Sequence, residues 1–415
     1  MRILVVAQRY HPFVGGVETQ TRLVVHELLR RGHDVQVVAT TLREPRLPVR
    51  LRVLSDSLLL PDGQSYNDEG VPVHVLTPDM GERLRMLPIA VRAVPLLARR
   101  YHVLRRWGYP FFRKVFAAKL RPFVAWAEVV HSVAGNYLGW TAQEVAQQLG
   151  RPFVVTPYVH PGQYGDGPDD ARHWQTADAV LALLETDRKV LVEHLGVSPD
   201  KVYLYGVVPL LPERADGVGF RARHGLGEAP VVLFVGRMNA YKGAPALVQA
   251  APLVWKKRPE VHFVFIGPAS EEEQHIFAGV DARVHYLGRV SDQEKADAYA
   301  ACDVFCMPSR HEILPAVYLE AWSYGKPVIG GPAPGLRELI EGHKAGIVVS
   351  QAPEAIADGL LRLLQAPEEA RMLGENGRRL VQQRYTREAL VDTLERVYGE
   401  LLARSAGSVV THQVR

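Results

Sequence analysis

The stretch Ser309-Arg310-His311-Glu312-Ile313-Leu314-Pro315-Ala316-Val317-Tyr318-Leu319-Glu320 decides how this chain reads. It continues into Ala321-Trp322-Ser323-Tyr324-Gly325-Lys326-Pro327-Val328-Ile329-Gly330. Apolar strand-like runs flank it, Val304-Phe305-Cys306-Met307 before and Val328-Ile329 after. That layout puts Glu312 in the loop at the carboxyl end of a strand and Glu320 on the helix that follows. In a parallel α/β sheet this is the edge where ligands bind. Two carboxylates there can accept hydrogen bonds from sugar or ribose hydroxyls. The spacing alone would equally describe two solvated surface glutamates, so the neighbouring sequence has to decide.

Working outward, the same grammar of strand, loop and helix recurs in both halves. Residues 3–7 form a continuous apolar strand, followed by a loop with Pro12, Gly15 and Gly16 and a helix with Leu23, Val24, Leu28 and Leu29 on one face. Gly32 ends that helix and Val35-Gln36-Val37-Val38 is the next strand. Further strands are expected at 71–75, 129–130, 153–156 and 180–184. The second half restarts with strands at 231–235 and 261–266 around a helix at 245–255. Strands alternating with helices argue for parallel sheets in both halves. The boundary is expected in 209–230, where Pro, Gly and charges cluster without periodicity. This gives an α/β chain with an amino-terminal domain over 1–208 and a carboxyl-terminal domain over 209–386.

Composition limits the function class. The 415 residues suffice for two domains with their own cores, and 47% hydrophobic with 23% charged residues is ordinary for a globular protein. A net charge of +4 argues neither for nor against nucleic acid, and no nucleic-acid partner is expected. No signal-peptide pattern opens the chain and no uninterrupted apolar run reaches a membrane span. Cys302 and Cys306 read as reduced core thiols, so a cytoplasmic protein is expected. There is no P-loop, no His-Glu-x-x-His and no Asp-x-Asp triplet, so no metal ligands are assigned.

Four stretches in order carry a resemblance. They are Met1-Arg2-Ile3-Leu4-Val5-Val6-Ala7 with Gly15-Gly16-Val17-Glu18, then Val235-Gly236-Arg237-Met238-Asn239-Ala240-Tyr241-Lys242-Gly243, then His285-Tyr286-Leu287-Gly288, and the glutamate block. Together they resemble the retaining glycosyltransferases of family four, whose fold (GT-B) pairs two Rossmann-like domains across a cleft. The resemblance implies transfer of a sugar from a nucleoside diphosphate sugar, of UDP or GDP type, to an acceptor hydroxyl on a glycan or lipid-linked acceptor. It implies no further cofactor. Arg237 and Lys242 would hold the diphosphate, a fork and a point charge suited to a leaving phosphate. Glu320 would bind the ribose, Glu312 the sugar ring, and the Gly15-Gly16 loop would face the donor. The last helix, about 387–402, would return to the first domain.

Two departures from the family pattern stand out. Leu314-Pro315 replaces the usual Phe-Gly, and proline donates no backbone hydrogen bond. Val133 stands where many members carry the second histidine of a His-x-His pair, leaving His131 and His160 as catalytic candidates beside Glu312. Two other readings therefore stay open: a nucleotide-sugar epimerase on the same fold, distinguished by an epimer formed from donor alone, and a nucleotide-sugar-binding protein without activity. A last feature is residues 81–126. There Arg83, Arg85, Arg92, Arg99, Arg100, Arg105, Arg106, Arg113, Lys114, Lys119 and Arg121 outnumber Glu82, and Trp107, Tyr109, Phe111, Phe112, Phe116, Phe123 and Trp126 are interleaved. Pro88, Pro95, Pro110 and Pro122 are expected to break the segment into short helices. Cations with interfacial aromatics suit an anionic membrane surface, which would make the protein peripheral on the inner face of the membrane.

Overall fold

The computed structural model describes the chain except residues 14, 43–63, 94–100, 213 and 413–415. It contains two compact units. The first comprises Met1–Tyr205 together with Leu390–Arg415, and the second Gly206–Ala389. The break thus lies after Tyr205, slightly upstream of the 208/209 boundary read from composition.

The first unit holds an eight-stranded sheet in the order β3-β4-β2-β1-β5-β6-β7-β8. Its strands are β1 (Arg2–Ala7), β2 (Asp34–Ala39), β3 (Tyr66–Asp68), β4 (Val71–Val75), β5 (Val129–Val133), β6 (Phe153–Thr156), β7 (Ala179–Ala182) and β8 (Val202–Leu204). All neighbours are parallel except β3 against β4. Strands such as β5 and β7 are buried at every residue, which is why they read as continuous apolar runs rather than alternating ones. The Gly16–Arg30 helix ends as its sequence demands. Gly32 takes φ +85, its N–H donates to the Leu29 carbonyl, and the His33 N–H donates to that of Leu28.

The segment with many prolines folds differently from its reading. Tyr101–Trp126 is one helix with Pro110 and Pro122 inside it. Phe112, Val115, Phe116, Leu120 and Val124 form its buried face, with the Phe112 and Phe116 rings stacked at 4.3 Å. An internal proline costs about 3 kcal/mol, and burying a phenylalanine contributes roughly 2–3 kcal/mol, so packing outweighs the breaks. Most of the aromatics assigned to a membrane therefore belong to the core or pack against it. Arg105 leaves the cationic surface as well. It is buried, paired with Asp170 at 2.5 Å, donates to the Gly135 carbonyl and lies 4.1 Å over the Trp140 ring. Lys119 pairs with Glu82, and Arg113 with Glu144 from another helix. Arg99, Arg100, Pro95 and the Arg92 side chain lie outside the described residues.

The second unit holds a six-stranded, wholly parallel sheet in the order β11-β10-β9-β12-β13-β14. These are β9 (Val231–Val235), β10 (His262–Ile266), β11 (Val284–Gly288), β12 (Val304–Met307), β13 (Val328–Gly330) and β14 (Gly346–Val348). The chain starts at β9 in the middle, winds outward through β10 and β11, then returns to β12 on the other side. The order therefore reverses between β9 and β12, the crevice position where open α/β sheets bind ligands beyond their carboxyl ends. In the first sheet the corresponding reversal lies between β1 and β5.

Candidate active site

The second unit's reversal point is flanked by two loops, residues 236–243 after β9 and 308–315 after β12. Arg237 sits at the start of the first loop and is exposed, with no side-chain partner among the described residues. Lys242 sits at its end, and its Nζ pairs with Glu312 Oε1 from the second loop. Ser309 Oγ donates to the same oxygen at 2.9 Å. Glu312 Oε2 has no partner among the described residues, and the side chain is 8% exposed. One carboxylate oxygen is thus anchored and the other remains to accept a hydrogen bond.

The two loops are tied together by backbone. The Arg310 N–H donates to the Tyr241 carbonyl at 2.9 Å, and Gln351 Nε2 donates to the carbonyls of Tyr241 and Pro308 at 3.1 and 2.9 Å. Gly243 makes the approach feasible. It takes φ +90 and caps the Ala244–Trp255 helix, and a Cβ there would stand 2.7 Å from Pro308 Cγ. Arg237, Lys242 and Glu312 are consequently brought to one edge, as their positions at strand ends suggested.

Glu320 lies on the Ala316–Ser323 helix and is almost fully buried at 3% exposure. Oε1 accepts from Lys295 Nζ at 3.1 Å and Oε2 from the Tyr299 hydroxyl at 2.9 Å. Burial raises its carboxyl pKa, opposed chiefly by the Lys295 charge. Lys295 and Tyr299 are partners that the sequence reading did not name. Both lie on the Asp292–Ala301 helix one turn apart, a spacing that puts them on one face. Pro315 is the N-cap of the Glu320 helix and accepts from the Tyr318 N–H at 3.2 Å, so it starts the helix rather than interrupting it.

In the first unit, Gly15 and Gly16 follow β1 at the start of the Gly16–Arg30 helix. Gly15 is extended at φ −166, so its backbone does not require glycine; a Cβ would instead meet the Glu18 carboxylate, whereas Gly16 has open space. Glu18 is a residue that the spacing argument passed over. Burial raises its carboxyl pKa. His160, in the loop after β6, donates from Nδ1 to the Tyr158 carbonyl at 3.1 Å and receives the Tyr164 hydroxyl at Nε2 at 3.3 Å. Tyr158 itself takes φ +49, and Ala134 after β5 takes φ +62. Left-handed backbone at non-glycine residues tends to mark functional edges.

His131 has a different environment from the one expected of a catalyst. It lies within β5 at 3% exposure, with Nδ1 at 2.7 Å from the Tyr398 hydroxyl and Nε2 at 2.8 Å from Thr156 Oγ1. Burial lowers its pKa to about 4. Both ring nitrogens are occupied inside the core, so this neutral imidazole joins the sheet to the last helix. That is the geometry of a structural residue. Among the described residues no group of histidine, cysteine, aspartate and glutamate side chains could hold a metal ion, and no helix is long and apolar enough to cross a membrane. Cys302 and Cys306 are free and buried.

Similarity to known proteins follows this division. Residues 220–380 match the family model of glycosyl transferases group 1, and residues 15–206 match that of the glycosyl transferase 4-like domain. The alpha-D-kanosaminyltransferase of Streptomyces kanamyceticus is 32% identical over 187 residues, 44% of this chain and 48% of that protein. The GDP-mannose-dependent alpha-(1-6)-phosphatidylinositol monomannoside mannosyltransferase of Mycobacterium tuberculosis is 28% identical over 61% of this chain and 65% of that protein. The matched stretches thus span about half to two thirds of these relatives. Among solved structures, Anabaena HepE in complex with UDP superposes with a TM-score of 0.71 at 18% identity, covering 96% of this chain and 100% of that one. Sucrose-phosphate synthase from Thermosynechococcus elongatus gives 0.71 at 20% identity, covering 97% and 99%. With both halves matched in order on two Rossmann-like sheets, the chain belongs to the GT4-type group 1 glycosyltransferases and has the GT-B fold.

Proposed function

We propose that the protein transfers a hexose-type sugar from a nucleoside diphosphate sugar to an acceptor hydroxyl, with retention at the anomeric carbon. The observation that carries this reading is the convergence of Arg237, Lys242 and Glu312 on the β9/β12 reversal point. In the reaction the bond from the anomeric carbon to the diphosphate oxygen breaks, and the electron pair leaves with the phosphate. The acceptor oxygen bonds to the same face of the sugar, and the departing phosphate takes the acceptor's proton. Negative charge grows on the leaving group, and Arg237 and Lys242 stabilise it. Glu312 holds Lys242 with Oε1 and offers Oε2 to a sugar hydroxyl. Glu320 receives a ribose hydroxyl through its remaining lone pairs. His160, in a strand-end loop, is the remaining histidine candidate for the acceptor.

The donor is of UDP or GDP type and the acceptor a glycan or lipid-linked alcohol. Support comes from relatives named as phosphatidylinositol mannoside mannosyltransferases and as D-inositol 3-phosphate glycosyltransferases of Corynebacterium. A lipid-linked acceptor also suits a revised membrane surface. Met80, Leu84, Leu87, Val103 and Trp107 are exposed by 47–70%, and Arg85, Arg106 and Lys114 of the same segment are exposed as well. In the proposal these exposed residues take the place of the buried aromatics as the membrane-facing group. The reading places the protein in the cytoplasm, at the inner face of the membrane.

The test is incubation with UDP- and GDP-sugars plus an inositol phosphate or phosphatidylinositol acceptor, with the product's anomeric configuration read by NMR. Retained configuration, with a rate that survives EDTA, is the expected outcome. An inverted product, an epimer formed from donor alone, or complete dependence on added Mg²⁺ or Mn²⁺ would each overturn a named part of the reading.

A further inference from the structure

The second unit carries a cationic recess at the opposite end of its sheet from Arg237, Lys242 and Glu312. It is a cavity of about 380 Å³ walled by His343 and Lys344 from the loop before β14, and by Asn376, Arg379, Gln383 and Arg384 from the Pro367–Arg384 helix. Because every strand of this sheet is parallel, the loop entering β14 lies at the amino edge, whereas the glycosyltransferase loops leave the carboxyl edge. No carboxylate is among the lining residues, although the Glu338 charge acts on His343 in its wall. Lys344 and Arg384 have no acidic partner among the described residues, and Arg379 is held by the Asn376 side chain. Three exposed positive charges around one recess make a local field that attracts anions. A position at the end of a helix favours Arg384 through the helix dipole, but does nothing for Lys344 on the neighbouring loop.

The wall is also a built one. Lys344 takes φ +49, a conformation that glycine or asparagine adopts more readily, and its carbonyl is pinned at 2.8 Å by Asn376 Nδ2. The next residue, Ala345, accepts from Trp322 Nε1 at 2.8 Å, and Trp322 is on the Glu320 helix. The residue next to Lys344 is therefore hydrogen-bonded to the helix that carries Glu320.

We propose that this recess binds a small phosphate-bearing anion at a site distinct from the donor loops. The guanidinium groups of Arg379 and Arg384 supply the forked donors such a group takes, Lys344 a point charge, and Asn376 and Gln383 neutral donors. This inference does not depend on the transfer reaction proposed above.

The experiment is calorimetric titration of the full chain with inorganic phosphate at constant ionic strength. Three proteins are compared: wild type, Lys344→Asn/Arg379→Gln/Arg384→Gln, and Arg237→Ala/Lys242→Ala. Lys344→Asn keeps the left-handed backbone while removing the charge, and equal melting temperatures in phosphate-free buffer verify folding. Saturable binding in wild type and in the Arg237/Lys242 variant, weakened at least about tenfold in the triple variant, is the expected result. Loss of binding in the Arg237/Lys242 variant alone would assign the phosphate to the donor loops and overturn the proposal. So would no saturable binding in wild type, or binding to phosphoinositide vesicles that the triple variant loses while free phosphate has no effect.

Discussion

At the carboxyl edge of the second sheet the functional groups are charged and braced. Lys242 is held by Glu312, Glu312 by Ser309, and Arg237 stands exposed beside them. In the first sheet the two candidate histidines bond to hydroxyl groups. His160 rests against Tyr164, and His131 is locked between Thr156 and Tyr398. In the proposed reaction this difference would serve the two substrates. A diphosphate demands compensating charge wherever it binds, whereas an acceptor alcohol demands shape and neutral hydrogen bonds. The charged edge is consequently written in a tight motif, and the neutral one in scattered residues.

The sharpest way to break that contrast is to remove charge from one side only. Arg237→Ala should cost roughly 2–4 kcal/mol of transition-state stabilisation, a thirty- to thousand-fold drop in kcat/KM on the order expected for losing an oxyanion donor. The melting temperature should stay within about one or two degrees, because the exposed guanidinium has no side-chain partner among the described residues. A variant with wild-type turnover would erase the distinction between the edges.

Acid acts on both units through buried histidines, for His262, His285 and His343 of the second are also lowered by burial, but the large shifts lie in the first. The pKa of His131 is lowered from 6.5 to about 4 and that of His173 to about 3, both chiefly by burial. Folded histidines with depressed pKa values contribute their full stability above the unfolded value of 6.5. As pH falls below it the unfolded chain takes up protons that the folded one refuses, so stability is lost down to the folded pKa. For His131 that amounts to roughly 3 kcal/mol at most. Hydrogen exchange at pH 5 should therefore show β5 and β6 losing protection before β9 and β12, and His131→Gln should flatten the pH dependence. Equal loss in both sheets would show that buried histidines do not set the acid limit.

The glycines of the two edges give a smaller contrast. Gly243→Ala imposes φ +90 on a side chain and drives it against Pro308, for a stability loss of about 1–3 kcal/mol. Gly15→Ala meets no backbone penalty and only the flexible end of Glu18, so it should cost less than about 1 kcal/mol. Denaturant midpoints of the two variants measure this, and a larger loss at Gly15 would reverse the assignment of which loop is tight.

The fold was legible because parallel strands buried on both faces are uninterrupted apolar runs. β9 and β10 could be read almost to the residue, as could β4 and β6. Short strands such as β3, β8 and β14 carry too few apolar residues to stand out. The positions of Arg237, Lys242 and Glu312 were readable because they adjoin strand ends, where topology leaves little freedom. What escaped reading was everything set by side chains from distant elements. The partners that turn Arg105 inward and close off His131 lie 65 and 267 residues away. The helix through Pro110 and Pro122 escaped for the related reason that local propensity was overridden by its buried face.

The return of the Arg387–His412 helix to the first unit has a consequence for the order in which the protein can be made. Arg31 and His33 find Glu395, Tyr203 finds Glu400, and His131 finds Tyr398 only when the end of the chain is available. The second unit is contiguous from Gly206 to Ala389 and needs no later residue. On a ribosome, where segments emerge amino end first, the half synthesised first is thus the half finished last. A nascent first domain waits with a polar imidazole in an open core until the last helix arrives, so chains that terminate early should be recognised by the cell through their oldest part.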